Sequence, residues 1–365
     1  MEKVGVKAKV VELNNRYPWL WPTLFFVLGV IFDIATIGRI DDLFSILQQG
    51  IYLLVLSILV TVDLVFEANG KMPPPWLARV WTYREEAIHF LFGSLLSVYT
   101  IFYFMSASIT ASAAFLVLIA VFLVANEIPR FRPFGGVMRF GLLALCLASY
   151  FGYLVPIAWG NIGLFPFVTA LLATLLVFAL IARLVQGQVP DPLAAWKKIM
   201  FPGGGVVGAF LLLYLFALVP PVPLSIQFAG IYHRIERVGD KYRLSHERPW
   251  WKFWQTGDET FLYRPGDKLH AFARIFSPAR FEGKVFVRWS LKRERRGWET
   301  WDAIPIKIVG GRDEGFRGVA IKENFTVGEW RLQFETEDER EIGRIHFKVV
   351  ADESTEERSF RIDEA

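Results

Sequence analysis

From Ala87 to Ala125 the chain carries no Asp, Glu, Lys or Arg, and from Phe140 to Ala182 it again carries none. Each stretch is about 40 residues long. As a single α-helix rising about 1.5 Å per residue, such a stretch would reach about 60 Å, twice the hydrocarbon core of a bilayer. Each must therefore fold back once. The first has a natural hinge at Ser106-Ala107-Ser108, the second at Pro156 through Asn161. A chain built this way is expected to cross a membrane several times.

Composition agrees. Of 365 residues, 53% are hydrophobic and 16% aromatic, including 33 Phe and 13 Trp, a bias suited to a membrane bundle with interfacial aromatics. The net charge of +4 is small, and the cations lie in short loops rather than in one dense patch. This reads as membrane topology and not as nucleic-acid binding. The single Cys146 sits in an apolar stretch, so no disulfide framework or cysteine metal site can form within one chain. The N-terminal segment alternates Lys3, Lys7, Lys9 and Arg16 with apolar and acidic residues. No small-residue cleavage site follows, and the first span is expected to act as an uncleaved anchor.

Seven spans are expected, near residues 18–38, 43–66, 87–106, 109–126, 140–157, 162–183 and 205–222. The loops test this independently of hydropathy. Lys3 to Arg16, then Lys71, Arg79 and Arg84, then Arg130, Arg132 and Arg139, then Arg183, Lys197 and Lys198 all fall on one side. The opposite loops hold Arg39 alone. The positive-inside rule then places the N-terminus in the cytoplasm and the C-terminal region outside.

After Val219-Pro220-Pro221-Val222-Pro223, whose prolines are expected to end the last helix, the pattern changes. Val285, Val287, Trp289 and Leu291 alternate with Phe286, Arg288, Ser290 and Lys292; Trp330, Leu332 and Phe334, and then Ile345, Phe347 and Val349, alternate likewise with polar residues. Period-two segments separated by glycine turns predict an antiparallel, sandwich-like all-β domain. The expected organisation is a cytoplasmic N-terminus (1–17), a seven-span α-helical bundle (18–223), a periplasmic β-sandwich (224–350) and an acidic, disordered tail (351–365).

The β region resembles a bacterial family, the domain of unknown function 2914. The resemblance rests on Pro220 to Leu224, Gly230-Ile231-Tyr232-His233, Gly310 to Gly318, Lys322, Gly328-Glu329-Trp330-Arg331 and Gly343-Arg344-Ile345-His346-Phe347. Phe32-Asp33 and Gly38-Arg39-Ile40-Asp41 are similar to the helical bundles that precede this domain. The resemblance implies a multi-pass inner-membrane protein of a Gram-negative bacterium with a periplasmic β domain. It carries over no catalytic residues.

Several residue groups could bear function. Asp33, Arg39, Asp41 and Asp42 form a candidate polar cluster at the outer end of the first hairpin. It can be read as an ion-linked site or as charge pairing that fixes the hairpin. Asp63 and Glu67 are one helical turn apart, which suggests an interfacial role. Glu86 and His89 lack the second motif a bundle metal site needs. Pro202-Gly203-Gly204-Gly205 lacks the ending of a phosphate loop and reads as a flexible entry to the seventh span. Three tryptophans in five residues, Trp250, Trp251 and Trp254, could stack on a sugar or peptide, lie in the bilayer interface, or fill the domain core. Arg312 and Arg317, with Asp313 and Glu314, could bind an anion or pair with one another. No nucleophile elbow or zinc spacing is present, and no cofactor or metal is called for.

The reading that follows is of a non-enzymatic inner-membrane protein presenting a periplasmic β domain to an envelope component. Its partners would be the lipid bilayer and an envelope protein, glycan or lipid head group, with no nucleic acid. The competing reading is a transporter or membrane-embedded enzyme working through Asp33 and Arg39.

Overall fold

A computed structural model describes residues 39–71, 73–106, 112–113, 115–117, 119, 121, 135–278, 281–309 and 315–365. Six helices fall wholly within them: α1 (Leu43–Asn69), α2 (Pro75–Trp81), α3 (Arg84–Met105), α4 (Gly135–Trp159), α5 (Leu164–Gln186) and α6 (Pro192–Leu215). All but α2 are long and apolar enough to cross a membrane. They match five of the seven expected spans. The expected span 18–38 lies outside the described residues, and 109–126 lies largely outside them.

The helices are apolar on both faces. In α1, Leu53, Leu56, Val60 and Leu64 are buried, while Leu47, Ile51, Leu54 and Ile58 on the other side are more than half exposed. A helix of a water-soluble protein would turn charge outward at those positions. Asp42 caps α1, its carboxylate accepting from the Ser45 amide at 2.9 Å and the Ser45 hydroxyl at 3.0 Å. Gly70, at φ 60°, ends the helix in the left-handed conformation. Between α4 and α5 the chain reverses through Gly160 and Gly163, both at positive φ, as the Pro156–Asn161 hinge predicts.

The last span differs from expectation. Pro202, Gly203, Gly204 and Gly205 lie inside α6 rather than forming a flexible entry. Gly203 is there for packing. A Cβ at that position would collide with the Phe178 ring of α5, 2.7 Å from Cε1. Nor do the prolines end the helix. It closes at Leu215, with Ala217 at φ 55° and the Leu218 amide donating to the Leu213 carbonyl, a left-handed cap completed before Pro220 is reached.

The described residues divide into two compact units. One takes in the chain through Ile101, Leu116–Tyr150 and Leu172–Ala209; the other takes in Phe102–Phe115, Phe151–Leu171 and Phe210–Ala365. The stretches Phe102–Phe115, Phe151–Leu171 and 210–224 of the second unit contain no Lys or Arg, so the division follows the charge asymmetry of the sequence.

The C-terminal part is β-rich. Strands β1 (Ser225–Tyr232), β5 (Leu269–Phe276) and β8 (Phe316–Lys322) form one sheet in the order β1-β5-β8. A five-stranded sheet runs β4-β10-β9-β6-β7, from β4 (Thr260–Tyr263), β6 (Glu282–Arg293), β7 (Gly297–Val309), β9 (Gly328–Thr336) and β10 (Glu341–Ala351). Its β4–β10 pair is parallel. The predicted alternation holds: Val285, Val287, Trp289, Trp330, Leu332, Phe334, Phe347 and Val349 share one buried core with Leu269, Ala271 and Ile275 of the three-stranded sheet.

The third sheet corrects an expectation. Its order is β11-β3-β2, from β2 (Arg234–Val238), β3 (Lys241–His246) and β11 (Arg361–Glu364). The polar tail therefore forms a strand instead of remaining disordered. Arg361 pairs with His246, and Ala365 exchanges two backbone hydrogen bonds with Tyr242 at 2.8 and 3.0 Å. The tail is also held by charge, because Arg264 donates to Asp352 at 2.7 Å, to the Ser354 hydroxyl and to the Glu356 carbonyl. Arg358 donates to Asp267 and to the Leu262 carbonyl. A charged segment orders when partners distant in sequence satisfy its charges.

Candidate functional site

The segment from Glu247 to Glu259 builds two features of the β domain at once. Two consecutive turns, with the Lys252 amide donating to the Pro249 carbonyl and the Gln255 amide to the Lys252 carbonyl, curl the chain into a loop. Arg248 closes its base by donating to the Gln255 carbonyl. The returning arm lies along β1. Thr256 donates through its hydroxyl to the Ala229 carbonyl, and the Asp258 amide donates to the Ile231 carbonyl at 2.8 Å. Between them Gly257 sits at φ 67° against the β1 backbone. A Cβ there would fall 2.7 Å from the Ile231 amide nitrogen and closer still to its carbonyl oxygen, so only glycine fits.

The tip of the loop is aromatic and outward. Trp250, Trp251, Phe253 and Trp254 are 76, 50, 82 and 62% exposed, whereas the core tryptophans Trp289 and Trp330 are fully buried. The loop tryptophans therefore do not fill the core. Trp251 and Trp254 lie 5.9 Å apart, Phe253 meets Trp254 edge-on at 5.2 Å, and the Lys252 ammonium stands 5.4 Å from the Trp251 ring.

Trp254 forms one wall of an open groove of about 730 Å³. Its floor is the β1 stretch Ile226–Ala229 and the β10 stretch Ile342–His346, with Thr256 and Glu259 on the loop side and Met105, the last residue of α3, on the rim. Aromatic, amide, imidazole, guanidinium and carboxylate groups thus line one cleft. On the outer sheet face beside it, the Arg331 guanidinium lies 4.8 Å from the Trp298 ring, which in turn meets His346 at 5.3 Å.

The inner end of the same segment carries Asp258 into a buried polar cluster. His233, directly after β1, places Nε2 3.3 Å from Glu247 Oε2 and 3.7 Å from Asp258 Oδ2. Its ring stacks on Phe261 at 4.0 Å and is covered by Phe360 of the tail at 5.1 Å. None of these three facing atoms makes an aligned hydrogen bond among the described residues. Burial pushes the Asp258 carboxyl up to about 7, with the neighbouring Glu247 adding to the rise. Burial pulls His233 down to about 4, and it raises Glu247 as well. Burial thus favours the neutral forms of the imidazole and of both carboxyl groups. Arg358 reaches over it, its Nε 3.6 Å from both Glu247 and Asp352. Hydrogen bonds from Ser354 and Arg264 hold the Asp352 carboxyl down at about 2.

A third polar group belongs to the helical unit. Asp63 of α1 accepts from Arg84 Nε of α3 at 2.6 Å and from Arg139 of α4. Arg139 also donates to both oxygens of Glu85 at 2.6 and 2.8 Å. The knot ties three spans together beside a cleft of about 770 Å³ that Glu67, Lys71 and Trp81 also line. Asp63 is therefore a pairing hub between helices, a stronger role than its position in the sequence suggested.

Of the residues singled out from sequence, Trp250, Trp251 and Trp254 come together on one exposed surface. Arg39 makes a bidentate pair with Asp41 at 3.0 Å on both arms, and Asp42 is spent on the α1 cap. Asp33, Arg312, Asp313 and Glu314 lie outside the described residues. Arg317 on β8 donates to the Asp240 carbonyl and does not line the groove. The His233 cluster escaped sequence reading because its members come from three segments with no common spacing.

Residues 282–349 match a family described as a protein of unknown function (DUF2914). No match was found among curated proteins. Among solved structures, the chain has a likeness to a β-glucosidase from Kluyveromyces marxianus at 12% identity and TM-score 0.16, covering 34% of this chain and 15% of that one. It also has a likeness to the alkylpurine DNA glycosylase AlkC of Pseudomonas fluorescens, bound to DNA containing an abasic site analog, at 9% identity and TM-score 0.18, covering 86% of this chain and 99% of that one. At these scores neither likeness bears on the fold or the activity.

Proposed function

We propose that the protein is a non-enzymatic, multi-pass protein of a bacterial inner membrane that presents a sandwich-like periplasmic β domain to an envelope component, with the groove beside Trp254 as the binding site. The observation that carries this reading is the groove itself. A cleft of about 730 Å³ walled by an exposed tryptophan and floored by two strand edges suits a ligand with one flat apolar face and several polar groups. Trp254 offers a stacking surface, while Gln227, Thr256, Arg344 and His346 offer donors and acceptors. A glycan, a peptide segment or a lipid head group has that mixed character.

The bidentate Arg39–Asp41 pair and the Asp42 cap support an anchoring role for that end of the bundle, in preference to an ion pathway. In the test, a photo-crosslinking amino acid replaces Gln227 in the full chain in its native membrane. The reading expects a discrete adduct that Trp254→Ala abolishes. Crosslinks indistinguishable from those at Val327, an exposed apolar position outside the groove, would overturn it.

A further inference from the structure

From the position and exposure of the 249–255 loop we infer that its aromatic tip is seated in the lipid–water interface of the membrane that α3 crosses. The inference rests on the membrane reading of the helices and goes beyond the groove, because it names a second partner, the bilayer surface itself.

Three observations converge. The first is chemical. Trp250, Trp251, Phe253 and Trp254 are each at least half exposed, and Lys252 lies among them. Four neighbouring exposed aromatics are unusual on a surface that meets only water. Indole rings favour the headgroup region, where an apolar body and a polar N–H are both accommodated, and a lysine among them can extend its ammonium toward phosphate. The second is positional. Met105 ends an apolar helix that carries no Asp, Glu, Lys or Arg beyond Glu86, and a span of this length ends at the bilayer boundary. Met105 and Trp254 line the same groove, so the loop lies at the depth of a span terminus. The third is confinement. The other exposed large apolar residues of the β domain are Val238, Ile321 and Val327, each alone on its strand or turn, and the pair Phe360 and Ile362 at β11, so a cluster of four belongs to this loop.

The position is also held in place. Thr256 and Asp258 pin the returning arm to β1, and Arg248 closes the base, so the aromatic tip projects from a fixed stem. A loop braced in this way can orient a domain at a surface without itself folding on contact.

Site-directed nitroxide labelling tests the inference in the full chain reconstituted in lipid nanodiscs. The native Cys146 is fully buried, and labels are introduced by Phe253→Cys, Leu172→Cys and Val327→Cys at positions that are all more than half exposed. Collision with lipid-soluble oxygen should exceed collision with a water-soluble nickel chelate at Leu172 on α5 and, to a smaller degree, at Phe253. The order should reverse at Val327. If Leu172 is lipid-exposed while Phe253 behaves as Val327 does, the loop inference fails and the membrane reading stands. If Leu172 itself faces water, the membrane reading fails first. A Phe253 label shielded from both reagents would mean that protein covers the loop, which also overturns the inference. As a second measure, replacing Trp250, Trp251 and Trp254 together by Phe should reduce the quenching of tryptophan emission by brominated lipids, and unchanged quenching would count against it.

Discussion

The guanidinium of Arg340 stands 3.2 Å from the centroid of the Tyr214 ring, so the β9–β10 turn is clasped to the last turn of α6. The same side chain donates to the Tyr214 carbonyl at 2.9 Å, to the Val219 carbonyl at 3.0 Å and to Asp338 at 2.7 Å, while the Tyr214 hydroxyl donates to Asp338 at 3.0 Å. Arginine suits the position because its planar fork can stack and donate in several directions together. The carbonyls it binds belong to a helix end and the loop after it; the Tyr214 carbonyl also accepts from the Ala217 amide at 3.0 Å.

Arg340→Ala should therefore destabilise the protein by on the order of 3 kcal/mol, since it removes the cation paired with Asp338 and the guanidinium donors of the Tyr214 and Val219 carbonyls. Arg340→Lys should recover only part of this. Adding Asp338→Ala to Arg340→Ala should restore some stability by removing the stranded charge. Thermal unfolding in detergent, with protease sensitivity of the β domain followed in parallel, checks the order.

Asp258 predicts a pH dependence. Its folded value of about 7 lies above the ordinary value of 3.8, so the folded state holds this proton over a range where the unfolded chain has released it. Stability from this group is fully present below about pH 3.8 and is lost as pH rises toward 7, at about 1.4 kcal/mol per pH unit. Asp258→Asn keeps an acceptor for the Glu247 amide and cannot ionise. Its stability relative to wild type should rise by roughly 2–3 kcal/mol between pH 5 and 7 and then level off. Denaturant melts of both proteins across that range provide the measurement. His233 shifts the opposite way, to about 4, so in the wild type the two groups largely cancel and the net dependence is shallow.

Gly203 tests the packing of α5 on α6. Gly203→Ala should cost about 1–3 kcal/mol as the new methyl meets the Phe178 ring. Combining it with Phe178→Leu should give less than the sum of the single effects, because the two sites share one space. Gly204 and Gly205 have no neighbour within 4 Å of a Cβ, and their alanine variants should be near neutral or slightly stabilising.

The proposed orientation predicts that reporter fusions after Gly187, between α5 and α6, behave as cytoplasmic. Fusions after Gly239, in the turn between β2 and β3, should behave as periplasmic. A periplasmic signal at Gly187 would sink the proposed topology.

Much of the architecture was legible because it depends on local pattern. Charge-free stretches become helices at nearly the expected positions, and the alternation at Val285 to Leu291 becomes β6 with the expected face inward. Departures arise where a residue answers to something distant. Pro202 and its glycines look like a break in isolation, yet the Phe178 ring selects Gly203 inside a helix. The tail looks disordered by composition, yet Arg264, Asp267 and β3 supply its partners about 90 to 120 residues away. The exposed loop was visible as three tryptophans in five residues, but only the fold shows whether they face inward or outward. Asp258 gave no signal at all, since its partners His233 and Glu247 are brought to it by β1 and β3.

The parallel pairing of β4 with β10 sets an order of events in making the molecule. Thr260 meets Lys348, roughly 90 residues later, and β11 must return from farther still to reach β3. Neighbouring helices can settle as each emerges, because their contacts are largely local. The five-stranded sheet cannot close until residue 351 has been synthesised and delivered to the same side as β4. Until then β4 and β9 have open strand edges and an unfilled apolar face, the circumstances in which nascent β chains aggregate. A chain truncated just before β10 would accordingly be an incomplete sheet lacking the strand that joins β4 to β9, and a client for chaperones and proteases rather than a smaller working domain.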